Sequence, residues 1–131
     1  MVQDSAVTTV RPDDDKWMAQ MRRGSLELCI LAILDHGRRY GYDIVQALSH
    51  SEGLVIKEGT IYPLLNRLEG EGLVSSEWQA SPEGPARRYY TLTDVGREQL
   101  PRMRAQWVRF ADDVRRIVGA DDARRTAEAS R

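Results

Sequence analysis

The residues best equipped for chemistry are an asparagine, two hydroxyl-bearing side chains and a set of arginines. In the stretch GTIYPLLNRLEG, Ile61, Leu64, Leu65 and Leu68 fall at i, i+3, i+4 and i+7, the single apolar stripe of an α-helix. At about 100° per residue the opposite face holds Gly59, Tyr62, Pro63, Asn66, Arg67 and Gly70. Two glycines and a proline let another surface approach closely, and Asn and Arg can form paired hydrogen bonds with base edges. Such a face is read as a contact surface. Thr60 stands at its start. Arginines elsewhere come in adjacent pairs: Arg22-Arg23, Arg38-Arg39, Arg87-Arg88, Arg115-Arg116 and Arg124-Arg125. The formal net charge is only −1, yet local pairs of this kind can hold phosphates without a basic overall balance. For any one pair, a solvated face is the plain alternative.

Other chemistries find less support. His36 and His50 are isolated in the sequence, and Cys29 lies inside an apolar helix, where it reads as an inert thiol. No Gly-rich phosphate loop follows a strand, and no carboxylate pair belongs to a recognisable mechanism. One cysteine and two distant histidines make neither a disulfide nor a metal cluster. We therefore expect no enzyme activity, no metal and no cofactor. The longest nearly apolar run, Leu28 to Leu34, is far below the roughly 20 residues of a membrane span. Met1 to Asp15 shows no signal-peptide pattern. The expectation is a soluble, cytoplasmic protein with no membrane contact, and 131 residues suit a single domain.

These residues need elements to position them. Met1 to Asp15 reads as a tail whose acidic end, Asp13 to Asp15, suits a helix start; Trp17, Met18 and Met21 then form a short apolar face broken at Gly24-Ser25. LELCILAIL, Leu26 to Leu34, is apolar on most sides and belongs at the centre of the core; His36-Gly37 ends it. A second helix is expected over Gly41 to Leu48, then a brief strand at Leu54-Val55-Ile56. The helix bearing Asn66 should begin near Gly59 or Thr60, because Pro63 lacks an N–H, and should stop at Gly70 and Gly72. Leu73 to Trp78 and Arg87 to Leu92 read as two strands joined by the loop QASPEGPA. Trp17 and Trp78 are expected to pack at the edges of the core. The fold class is mostly α with a small β-hairpin (α+β): a winged helix-turn-helix over 16–92. The third helix would enter the major groove and the hairpin would flank it.

A last helix over 93–119 opens at the Thr93-Asp94 cap, and a polar tail, 120–131, follows. Leu100, Met103, Trp107, Phe110, Val114 and Ile117 are spaced 3, 4, 3, 4, 3, a heptad seam spanning about 26 Å, and read as a dimerisation helix, with packing of part of the seam on its own domain as the alternative. Pro101 conflicts with that pattern and should kink or split the helix near Leu100.

Over residues 22 to 118 the chain resembles the PadR family of bacterial transcription regulators. The resemblance rests on LELCILAIL, YGYDI, EGTIYPLLNRLEGEGLV and RRYYTLTDVGREQL, and the single last helix resembles the short subfamily. It implies a homodimer that binds a palindromic operator in double-stranded DNA and usually represses. Thr60, Tyr62, Pro63, Asn66 and Arg67 match recognition-helix positions, and Arg87 and Arg88 match the basic base of the wing. Tyr40 and Gly41 stand at a helix N-terminus that can hold a phosphate. Trp107 matches a tryptophan that stacks planar drugs in multidrug-sensing members, which implies a small aromatic effector there; simple packing within the seam is the alternative reading of the same residue. The wing tip, Ser81-Pro82-Glu83-Gly84, carries a negative charge and argues against deep insertion. The alternative reading is a winged-helix module that binds protein without specific DNA recognition.

Overall fold

In the computed structural model, residues 12–119 are described. The helices are α1 (Pro12–Arg23), α2 (Leu26–Leu34), α3 (Gly41–Leu48), α4 (Glu58–Gly70) and α5 (Asp94–Val118). The strands are β1 (Arg39–Tyr40), β2 (Val74–Ser81) and β3 (Gly84–Leu92), in the antiparallel order β1-β3-β2. This is the expected winged helix-turn-helix followed by a long helix, with a third strand added. Arg39 pairs with Tyr90 and Tyr40 with Tyr89, so the short link between α2 and α3 is stitched onto the far strand of the hairpin. The regions expected to be tails overlap the described residues only at Pro12 to Asp15, which form the first turn of α1; the remainder, 1–11 and 120–131, lies outside them.

The core forms where the apolar stripes of α2, α3 and α4 meet the inner face of the hairpin. Ile30, Leu31, Ile44, Ile61 and Leu65 are fully buried, and Val74, Tyr90 and Leu92 close the assembly from the sheet side. Burying each such side chain contributes roughly 1.5–3 kcal/mol. Helix α2 matches the expected Leu26 to Leu34 and α3 the expected Gly41 to Leu48, because each apolar stripe is bounded by turn residues. The end of α4 is a paired cap: Leu73 N–H donates to the Leu68 carbonyl and Gly72 N–H to the Glu69 carbonyl, with Gly72 at φ +78°. Leu68 and Leu73 are both buried, so the cap delivers the chain directly into β2.

Four expectations change. Leu54-Val55-Ile56 is not a strand: Glu52–Leu54 forms a 3₁₀ turn, and Leu54 and Ile56 instead pack against the core. The supposed loop QASPEGPA is largely strand, since β2 reaches Ser81 and β3 begins at Gly84, leaving only Pro82-Glu83 to turn. Pairing across the hairpin overrides the local loop signal, and the register irregularity between Gln79 and Ser81 absorbs the mismatch. Trp17 and Trp78 are 60% and 66% exposed rather than packed at the core edge. Pro101 does not split the last helix, which runs unbroken from Asp94 to Val118. The helix is pinned on both sides of Pro101: before it, Thr93 Oγ1 accepts from Gly96 N–H and Leu100 is buried in the core, and beyond it Met103 packs against that core.

Burial of Leu100 also revises the heptad seam. At 2% exposure Leu100 belongs to the chain's own core, and Met103, half-buried, packs against that core. The open part of the seam is Trp107, Phe110, Val114 and Ile117.

Candidate nucleic-acid interface

Helix α4 carries the candidate site because its core stripe leaves two distinct flanks. With Ile61, Leu65 and Leu68 turned inward, a 3.6-residue repeat puts Gly59, Pro63 and Gly70 on the outermost line. Tyr62, Asn66 and Glu69 lie on the flank toward the wing. Thr60, Leu64 and Arg67 lie on the flank toward α1 and α2. Among the core-facing apolar residues, only Leu64 is partly exposed, on that second flank. The helix starts at Glu58, one residue earlier than expected, so Pro63 stands inside it with no N–H to return to the Gly59 carbonyl.

On the wing side, Tyr62 and Asn66 face Trp78, Ala86, Arg87 and Arg88 across a cleft of about 300 Å³. The ring of Tyr62 lies over Gly41 at the start of α3: a Cβ there would stand 2.7 Å from its hydroxyl oxygen. Gly41 is therefore buried beneath Tyr62, whose ring covers the helix start that was expected to hold a phosphate. Tyr40 stacks on Tyr42 at 6.3 Å, meets Tyr89 edge-on at 5.6 Å, and receives the Arg87 guanidinium over its ring at 4.6 Å. Arg38 covers Tyr89 at 4.4 Å and donates to Gln79 Oε1 at 2.8 Å. This layer of arginines on tyrosines holds Arg87 on an exposed face.

Arg87 and Arg88 were expected to act alike, and the strand separates them. Side chains alternate along β3, so Arg88 shares the inner face with Tyr90 and Leu92, while Arg87 shares the outer face with Tyr89. Arg88 donates from Nε to Ser76 Oγ at 2.9 Å and from a terminal nitrogen to Glu69 Oε1 at 3.0 Å; the Ser76 hydroxyl donates to Glu69 Oε2 at 2.8 Å. The closed triangle ties the end of α4 to both wing strands. Arg67 is also committed, with its Nε 3.4 Å from both Glu27 and Glu71 carboxylates. Of the expected DNA-contacting arginines, Arg87 alone carries no ion pair among the described residues.

The flank toward α1 borders a second groove, of about 570 Å³, which includes Thr60. Thr60 thus stands apart from the wing cleft that holds Tyr40, Gly41, Tyr62 and Asn66. Tyr42 and Tyr89 join the wing surface without having been singled out from sequence, and Trp78, expected at the core edge, joins it too. The period-2 pattern of Arg87-Arg88-Tyr89-Tyr90 could have separated its two faces; the stacking partners come from β1, which no local signal announced. Trp107 lies on α5, 45% exposed and outside both clefts. Burial pushes the Cys29 thiol above its ordinary pKa, which disfavours the reactive thiolate.

The arrangement is that of a winged-helix regulator, and comparison with known proteins agrees. The model of the transcriptional regulator PadR-like family matches residues 30–102, more than half of the chain. The chain belongs to the PadR-like family of transcriptional regulators. It is 36% identical over 97 residues to transcriptional regulator Rv3488 of Mycobacterium tuberculosis, a match covering 74% of this chain and 89% of the relative. The structure of a PadR family regulator from Eggerthella lenta matches with a TM-score of 0.70 at 36% identity, covering 79% of this chain and 90% of the other. The Bacillus subtilis PadR structure, solved in complex with operator DNA, matches with a TM-score of 0.54 at 30% identity, covering 63% of this chain and 45% of that one. Among the described residues, no helix is long and apolar enough to cross a membrane.

Proposed function

We propose that the protein is a cytoplasmic transcriptional repressor that binds a palindromic operator in double-stranded DNA as a homodimer. The observation that carries this reading is the outer face of α4: a line of small residues, Gly59, Pro63 and Gly70, runs between Asn66 and Arg67 beside a cleft rimmed by Arg87. A helix with such a line can seat deeply in a major groove, with Asn66 at base edges and Thr60 near its leading end. Tyr40, Tyr62 and Arg87 then face the strand on the wing side. The likeness to B. subtilis PadR, whose structure holds operator DNA and which is named a negative transcriptional regulator, supports both DNA binding and repression. Dimerisation is supported by the exposed apolar row Trp107, Phe110, Val114 and Ile117 on α5, and a two-fold dimer calls for a two-fold site. Trp107 is the ring on which a planar aromatic effector would stack between protomers.

The test begins with an operator selected from a random duplex pool and titrated by fluorescence anisotropy at several salt concentrations. Asn66→Ala should narrow the gap between operator and random DNA by about 1–3 kcal/mol. Arg87→Ala should weaken binding to all sequences alike and lower the salt slope by about 0.9. Wild-type protein with no salt-dependent duplex binding would leave only a protein-binding winged helix.

Arg88→Ala should behave differently from its neighbour. Removing it opens the triangle with Glu69 and Ser76, so stability should fall by about 1 kcal/mol in thermal melts while the salt slope stays near that of wild type. A slope reduced as much as by Arg87→Ala would return Arg88 to the phosphate contacts.

A further inference from the structure

Apart from Thr60, the proposed DNA contacts lie on the wing side of α4, and a helix in a major groove has a phosphate strand on each side. The groove is about 12 Å wide and a helix with side chains fills about 10–12 Å of it. The flank of α4 away from the wing should therefore face the second strand. That flank borders the groove of about 570 Å³ between α1, the Val55–Lys57 segment and α4. Three cations, Arg22, Arg23 and Lys57, line it together with Thr60 and apolar side chains, and among the described residues no carboxylate does. None of the three makes an ion pair among the described residues, whereas Arg67 on the same flank is held by Glu27 and Glu71. Arg22 is half-buried and reaches back toward the Gly53 carbonyl at 3.4 Å; Arg23 and Lys57 are exposed.

We infer that Arg23 and Lys57 form a second phosphate-binding wall, gripping the DNA strand opposite the one faced by Arg87 and the wing. The inference rests on the reading of α4 as a DNA-recognition helix and adds a surface to it. Its partner is the phosphodiester backbone, so the contact is indifferent to sequence. The placement also accounts for why the wing needs no basic tip: with Pro82-Glu83 at the turn, cations on the far flank supply what the tip does not. On α1, Trp17 and Arg23 are six residues apart and point about 120° away from each other, so the exposed apolar face of that helix is directed elsewhere.

The experiment uses the full chain carrying Arg23→Ala and Lys57→Ala together, with circular dichroism to establish that the fold is retained. Against a duplex that wild type binds, the slope of log K with log salt should fall by about 1.8, two phosphate contacts at about 0.9 each. Operator and random DNA should weaken by the same factor, leaving discrimination as in wild type. Phosphate ethylation interference on the wild-type complex supplies an independent measurement, and should mark phosphates on both walls of the major groove. An unchanged salt slope, or interference confined to one wall while wild type binds DNA, overturns this inference and leaves the recognition helix in place. Absence of duplex binding by wild type overturns both.

Discussion

Placing glutamate at both Phe110 and Val114 is expected to turn the protein from a dimer into a monomer in light scattering. The second half of α5 leaves the domain behind: after Met103, no residue of the helix is buried, and Phe110 stays 65% exposed in one chain. Trp107, Phe110, Val114 and Ile117 keep the 3, 4, 3 spacing over about 15 Å, a row suited to a second copy of itself. Two carboxylates in that row would be buried without partners, and breaking the match in this way costs about 3–5 kcal/mol. Because these side chains support little within their own protomer, the monomer should remain folded, with a helical spectrum like that of wild type. Operator affinity should drop by about 100-fold or more, since two linked half-site contacts gain roughly that factor over one. A variant that stays dimeric would place the interface elsewhere.

Gly96→Ala should be the most destabilising small substitution in the chain. The helix start at Thr93 is locked to the end of α4: Thr93 N–H donates to the Leu73 carbonyl at 3.1 Å, and its hydroxyl donates to the Gly72 carbonyl at 2.6 Å. Gly96 sits directly on this junction, and a Cβ there would stand 2.2 Å from the Leu73 carbonyl oxygen. The obstruction is backbone that is already hydrogen-bonded, so no rotamer change relieves it. Either α5 lifts off or the Leu73–Thr93 bond breaks. Overpacking of this kind costs about 3 kcal/mol, at the upper end of its usual range. The melting temperature should fall by about 10 °C. A variant within about 2 °C of wild type would show that the junction can open without strain. Because the same contact sets where α5 leaves the wing, operator binding by the surviving folded protein should weaken as well.

Much of the site could be read in the sequence because its signals are local. The stripe of Ile61, Leu65 and Leu68 fixes which side of α4 faces the core, and Asn66 and Pro63 follow on the outside by helical repeat alone. The Thr93 cap likewise acts within a single turn. By contrast, β1 is two residues long and exists only because Arg39 and Tyr40 meet Tyr90 and Tyr89, about fifty positions away. No local pattern could announce it, and with it came the stacking that holds Arg87 outward. The same dependence explains the wing loop: prolines and a glycine favour a turn locally, yet pairing with the opposite strand extends both strands nearly to the tip.

Sequence by itself determined the helices, their buried faces and the outer face of α4 on which the proposed DNA contacts lie, since propensity and periodicity act over a few residues. Tertiary structure decided which similar residues differ in role. Arg88 is tied to Glu69 and Ser76 while Arg87 is left without an ion pair, because alternation along β3 becomes meaningful only once one face is buried. Leu100 is taken into the core and Trp107 left outside, although one heptad repeat contains both. A repeat records only that side chains share a face. What that face meets depends on where the rest of the chain ends, and here the domain ends about one turn beyond Leu100.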